Sequence, residues 1–213
     1  MKARKLAVEG AIEFTPRAFS DDRGVFATPF QQSVFETANG APFFPVAQSN
    51  HSVSRRGVVR GIHYTGAPPG AAKYVYCASG RSLDIVVDIR TGSPTYGRWD
   101  AVLLDPEELR AVYLPVGVGH AFVALTDHTV MSYLTSTPYV ADNELALSPL
   151  DPALGLPIPE DIEPLLSERD TRALTLEEAA GRGLLPSYEH SLKLEAALSA
   201  GAGAEPRATG RTA

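Results

Sequence analysis

Polar and ionisable residues recur inside the most strand-like stretches of this chain: Gln48 and Asn50, Arg60 and His63, Lys73, Asp84, His120 and Tyr133. Taking an unpaired polar group out of water costs roughly 2–7 kcal/mol. A fold that places this many on core strands therefore uses them to line an interior site. His63, Lys73 and Tyr133 are the types needed to move a proton next to a ketone. Imidazole, with an ordinary pKa of about 6.5, is a base suited to neutral pH. An ammonium holds the developing enolate oxygen, and a phenol on the other face returns a proton. A carboxylate on the second imidazole nitrogen would fix the tautomer and stabilise the imidazolium.

Each residue also has a purely structural reading. His63, in Gly57-Val-Val-Arg-Gly-Ile-His-Tyr64, taken alone is a hydrogen-bonded core histidine. Arg60 lies three residues before it, so strict alternation puts the two on opposite faces. A bulge at Gly61 would bring both to one face, and that is the expectation adopted here. Lys73 at a strand start can snorkel, and Tyr133 can fill core with its hydroxyl at the rim. Asp84 and Asp88 sit on one face of an otherwise apolar run at 82–89, which predicts a strand buried on both sides; Asp88 reads as an edge-protecting charge. His51, His128 and His190 show no partner pattern and are expected to be structural or solvated.

Several sharper motifs fail. Barrel metal sites of the cupin type need two histidines one residue apart, with a carboxylate and a later histidine; His63-Tyr64-Thr65 breaks that pair. Neither a metal nor a cofactor is expected. Gly92-Ser-Pro-Thr-Tyr-Gly-Arg98 has the glycine spacing of a phosphate loop but lacks its Lys-Ser/Thr pair, so it reads as a turn. There is no Gly-x-Ser-x-Gly elbow for a serine nucleophile.

The elements that must position these residues are β-strands. Among 213 residues, 18 glycines and 17 prolines punctuate short runs rich in Val, Ile, Tyr and Phe, the pattern of an all-β sandwich or barrel. Strands are predicted at 11–14, 44–54, 58–64, 73–78, 82–89, 99–104, 111–114, 121–125 and 130–134. Helices are confined to the edges: a short piece at 31–38 and a segment opening at Thr175-Leu-Glu-Glu178, which has capping-box spacing. The proline- and leucine-dense stretch 151–170 reads as an extended loop laid over the barrel. The organisation expected is one domain over 1–186, a C-terminal helix over 187–198, and a disordered tail over 199–213, which has no Val, Ile, Leu or aromatic residue. The single cysteine, Cys77, reads as a small core residue and fits a reducing compartment. With no apolar leader behind Lys2, Arg4 and Lys5 and no 18-residue apolar run, a cytoplasmic protein without a membrane partner is expected. A net charge of −6 argues against binding nucleic acid, whose affinity comes from many cations on phosphates.

Read in order, several stretches resemble the dTDP-4-dehydrorhamnose 3,5-epimerase family, in the branch of antibiotic deoxysugar pathways. They are Asp22-Arg-Gly-Val-Phe26, Gln48-Ser-Asn-His-Ser-Val-Ser54, Gly57 to Tyr64, Asp84-Ile-Val-Val-Asp-Ile-Arg90, Leu114-Pro-Val-Gly-Val-Gly-His-Ala-Phe122 and Leu166-Ser-Glu-Arg-Asp170. The resemblance implies a jelly-roll barrel of the cupin type and a homodimer with an exchanged amino-terminal arm. It also implies cofactor-independent epimerisation of a dTDP-4-keto-6-deoxyhexose at carbon 3, carbon 5 or both. On that basis His63 is the base, Asp170 orients it, Tyr133 is the acid, and Lys73, with His120, stabilises the enolate. Arg23 and Arg60 would contact the diphosphate, Gln48 and Asn50 would place the ligand, Tyr139 would stack on thymine, and Phe26 would close the neighbouring pocket. Glu144 and Arg169 are further substrate-side positions. The chain departs from the family pattern at Thr28 (usually Glu), Thr65 (usually Gln) and Arg169 (usually Lys), which bears on substrate placement and leaves the base, acid and oxyanion donor intact. Two rivals are a dTDP-sugar 3,4-ketoisomerase on the same barrel and a non-catalytic nucleotide-sugar binding protein; the latter would not need a base and an acid together.

Overall fold

Short alternating segments closed by Gly and Pro turns give strands, and their apolar faces stack them into two sheets. The computed structural model of the chain describes residues 1–202. One sheet holds β1 (Lys2–Lys5), β2 (Ile12–Thr15), β5 (Gln48–Ser54), β7 (Lys73–Ser79), β10 (Ala111–Leu114) and β12 (Thr129–Thr135), in the order β1-β2-β10-β7-β12-β5. The other holds β6 (Val59–Thr65), β8 (Ser82–Val87), β9 (Trp99–Leu104), β11 (Gly119–Ala124) and β13 (Glu144–Ala146), in the order β13-β6-β11-β8-β9. Neighbouring strands are antiparallel throughout, and the two sheets face each other as a jelly-roll barrel of the cupin type. A separate hairpin, β3 (Ala18–Asp21) and β4 (Gly24–Ala27), stands apart from both sheets.

Strand alternation assigns three layers of packing. The inner faces bury Val75, Cys77, Val86, Phe122 and Met131 at one end of the barrel, with Tyr133 packed against them. Outside the five-stranded sheet, Ile62, Tyr64, Ile85 and Val123 are covered by Leu154, Ile158, Ile162 and Leu166. The stretch expected as an overlaid loop therefore does lie over the barrel, tied on by parallel bridges from Val58 to Leu165 and from Leu147 to Leu174. Outside the six-stranded sheet, Phe14, Tyr74 and Tyr113 meet Phe35 of α1 (Gln32–Asn39), with Phe30, Phe43 and Phe44 completing an aromatic cluster.

The remaining helices are α2 (Glu168–Thr171), α3 (Leu176–Gly181) and α4 (Tyr188–Ala202). Both bonds of the expected capping box form, Glu178 N–H to Thr175 Oγ1 at 3.2 Å and Thr175 N–H to Glu178 Oε2 at 2.9 Å. Two expectations need correction. The helix read as ending at 198 continues to Ala202, so Ser199–Ala202 are not tail; the rest of the expected tail lies outside the described residues. Alanine, with the highest helix propensity, carries the extension where larger apolar residues run out. The reading of Asp88 as an edge charge also fails. Asp88 is fully buried, accepts two bonds from the Arg90 guanidinium (2.8 and 2.9 Å) and one from the Arg90 N–H (3.1 Å), and receives the hydroxyls of Ser93 and Thr95. The 92–98 turn is thus folded around an internal carboxylate, which burial alone would push up but these donors hold below the usual carboxylate range. No helix among the described residues is long and apolar enough to cross a membrane.

One tie between helix α4 and the barrel is a half-buried acid. Glu195 Oε2 accepts the Val116 N–H at 2.8 Å, and burial pushes this carboxyl up to about 7 against the opposing pull of that N–H and Arg90. A carboxyl raised above its unfolded value of about 4.3 contributes stability that is complete below that value. The contribution is lost as pH rises through about 7. Urea unfolding of the parent chain between about pH 5 and about pH 8 should therefore show stability falling with pH, and Glu195→Gln should flatten that slope.

Candidate active site

The interior end of the barrel opposite the apolar core is polar because β5, β6, β7, β11 and β12 turn polar residues inward. On β5 the alternation is inverted, with Gln48, Asn50 and Ser52 half-buried while Val53 points outward and is 62% exposed. That inversion is the local sign of a strand facing a polar site rather than a core.

The bulge expected at Gly61 is present. His63 stands opposite His120, while Arg60 stands opposite Phe122, so two residues on β6, Gly61 and Ile62, face the single Ala121 on β11. Arg60 and His63 consequently share the inward face. Gly61 has φ +121°, and a Cβ there would lie 2.4 Å from His120 O, so only glycine fits between β6 and β11.

His63 is oriented from outside the sheet. Ser167 caps α2 by accepting the Asp170 N–H at 3.1 Å, and Asp170, 2% exposed, meets His63 Nε2 with Oδ1 at 2.7 Å. Burial raises the Asp170 carboxyl, but bonds from His63 and Ser167 outweigh it and hold the group below the usual carboxylate range. An ionised Asp170 takes the Nε2–H and leaves His63 Nδ1 as a lone-pair acceptor. The imidazole itself is 32% exposed, whereas its carboxylate partner is buried.

The second histidine, His120, is almost fully buried, and its Nε2 meets Asp84 Oδ1 at 2.6 Å. Asp84 Oδ2 and Ser52 Oγ are buried with no hydrogen-bond partner among the described residues. The His120 ring stands edge-on to Tyr133, with centroids 6.0 Å apart. Tyr133 belongs to the six-stranded sheet, opposite Asn50 of β5, whereas His63 belongs to the five-stranded sheet. Burial pushes the Tyr133 phenol well above its ordinary value, so it stays protonated at neutral pH.

Lys73 opens β7 beside Thr135 and lines a small polar pocket of about 50 Å³ with Asn50, Thr65, Tyr139 and Glu144. Burial lowers its ammonium pKa, Glu144 raises it, and Arg169, exposed on α2, lowers it. Gln48 Nε2 donates to Asn50 Oδ1 at 2.6 Å and its Oε1 accepts the Tyr139 N–H at 2.9 Å, fixing a tyrosine whose side chain is exposed. Arg60 is exposed and anchored by Nε to Ser54 Oγ at 3.3 Å. Of the residues singled out in the sequence, the structure thus gathers His63, Asp170, His120, Tyr133, Lys73, Asn50, Gln48, Arg60, Tyr139, Glu144 and Arg169 around the barrel interior and its rim. It leaves Arg23 and Phe26 apart, on the β3–β4 hairpin: Arg23 pairs with Asp21 and Phe26 is 70% exposed.

Two pairings are not given by the sequence analysis. Thr65 donates to Glu144 at 2.7 Å, and Asp84 was read as an inward carboxylate without its histidine. Both pairs join residues distant in sequence, and only strand register reveals them. A cleft of about 430 Å³ lies elsewhere, between α4 and the loop at Glu9 and Gly10; two of its charged walls, Arg90 and Glu195, are committed to Asp88 and Val116.

The comparisons with known proteins agree with this geometry. The family model described as dTDP-4-dehydrorhamnose 3,5-epimerase matches residues 5–178. The chain belongs to that family. A relative from Streptomyces griseus bearing the family name is 51% identical over 92% of this chain and 96% of its own length. A dTDP-4-dehydro-6-deoxyglucose 3-epimerase from Streptomyces bikiniensis is 51% identical over 86% of this chain and 93% of its own length. Among solved structures, the 4-keto-6-deoxy sugar epimerase NovW, from the novobiocin cluster of Streptomyces spheroides, superposes with a TM-score of 0.86 at 48% identity, covering 90% of this chain and 95% of its own. This member of the dTDP-4-dehydrorhamnose 3,5-epimerase family is accordingly an isomerase of the epimerase class, with relatives in antibiotic deoxysugar pathways.

Proposed function

We propose that the chain epimerises a dTDP-4-keto-6-deoxyhexose at carbon 3, carbon 5 or both, through an enolate and without a cofactor. The observation that carries the reading is the pairing of an Asp170-oriented imidazole on one sheet with a protonated phenol on the facing sheet, both turned into the same barrel interior. His63 Nδ1 removes the proton alpha to the 4-keto group; the ammonium of Lys73, with His120, holds the oxyanion; Tyr133 delivers a proton to the opposite face. Preset donors of this kind need no reorganisation as charge develops. Arg60 and Arg169 bind the diphosphate and sugar side, Gln48 and Asn50 orient the ligand, and Tyr139 stacks on the thymine.

The reading includes a homodimer in which the β3–β4 hairpin crosses to the neighbouring barrel and brings Arg23 and Phe26 to its site. A lone two-stranded hairpin is marginal in water, and this one exposes Phe19, Val25 and Phe26 together. A sedimenting species of twice 22.7 kDa supports the arm exchange, and a monomer overturns it.

The activity is tested by incubation with dTDP-4-keto-6-deoxyglucose in deuterated water, followed by NMR. Deuterium at an inverted carbon supports the reading and shows which carbon is attacked. A carbonyl moved to carbon 3 would assign the 3,4-ketoisomerase reaction instead, and tight binding without exchange would leave a binding protein.

A further inference from the structure

We infer that Thr65 is a positioning residue for the reaction: its hydroxyl fixes the Glu144 carboxylate at the wall of the pocket where Lys73 must hold the enolate. The inference rests on the reading of Lys73 given above. Thr65 ends β6, Glu144 begins β13, and the two stand directly opposite in register. The Thr65 hydroxyl donates to Glu144 Oε1 at 2.7 Å, and among the described residues no other side-chain hydrogen bond or ion pair holds that carboxylate. Thr65 is 6% exposed, so its hydroxyl is set by packing as well as by this bond.

Lys73 lines the same pocket. The charged and titratable groups facing it are Glu144 from β13, Arg169 from α2 and Tyr139 from the loop after β12; the neighbours on β5 and β12, Asn50 and Thr135, are neutral. Burial and Arg169 both disfavour the ammonium, and Glu144 opposes them. A carboxylate free to swing toward solvent would lose much of that effect, because Coulombic attraction falls with distance and is screened by water. The hydroxyl of Thr65 therefore acts on Lys73 through Glu144, although it need not touch substrate.

The chain has four lysines, and Lys2, Lys5 and Lys193 are exposed, so the titration of Lys73 can be followed by NMR of lysine labelled at Cε. Thr65→Val, nearly isosteric, should lower the Lys73 midpoint by about one pH unit, a tenfold change in proton affinity. The alkaline limb of kcat should move with it while KM changes little. Thr65→Ser should restore the parent midpoint, and Glu144→Gln, which keeps an acceptor but loses the charge, should lower it at least as far as Thr65→Val. These last two variants decide the matter if the valine variant does not fold. A midpoint unmoved by loss of either the hydroxyl or the carboxylate overturns the inference. If Lys73→Met keeps full exchange while Thr65→Val still shifts the lysine, the enolate role of Lys73 falls and the Thr65–Glu144 coupling stands.

Discussion

Replacing His63 with alanine removes solvent-deuterium incorporation into the sugar and lowers turnover by roughly 10²–10⁴-fold, the range supplied by a positioned acid or base. The effect is large because nothing nearby can substitute. Both histidines have a carboxylate on Nε2, but His120 is almost fully buried, whereas the His63 imidazole is 32% exposed. Undiminished deuterium uptake by His63→Ala would end the assignment of the base. Binding of dTDP should survive the substitution, since the groups proposed for the diphosphate and thymine lie on other side chains.

The second large effect separates two events that usually travel together. Tyr133→Phe leaves His63 able to remove a proton and return one on its own face, so exchange with deuterated water persists. Inversion requires delivery from the opposite sheet, and there it should fall by roughly 10²–10⁴-fold. Burial keeps the phenol protonated, so the parent enzyme should show no loss of inversion from Tyr133 ionisation at neutral pH. The measurement is one NMR series that scores label and configuration on the same carbon. Equal loss of exchange and inversion would refute the division of labour between the two residues.

Asp170, Tyr139, Glu144 and Arg169 came in only through the family resemblance, whereas the inward-facing strand residues were legible in the sequence because strand alternation and residue type are local properties. Arg60, Gly61 and His63 illustrate how far that reaches: the parity conflict between the two side chains pointed to a bulge at the glycine, and the register between β6 and β11 contains one. Asp88 shows where local reading stops. Its environment is made by Arg90 and by a turn that folds back through Ser93 and Thr95, and alternation alone cannot distinguish that interior from an exposed edge. The Thr65–Glu144 and Asp84–His120 pairs were hidden for a different reason, since they depend on which strands are neighbours. Four short strands, Lys2–Lys5, Ala18–Asp21, Gly24–Ala27 and Glu144–Ala146, were not anticipated. Three or four residues give too few alternations to read, and the exposed ones have no buried face.

The link between Asp170 and His63 joins residues 107 apart in sequence, and it is held by a belt strapped across the outside of the barrel at Val58–Leu165 and Leu147–Leu174. The carboxylate that orients the proposed base therefore follows every strand of the barrel in the chain. Cleavage of the belt between Leu147 and Asp170 is therefore expected to lower epimerisation before it changes the circular dichroism of the sheets.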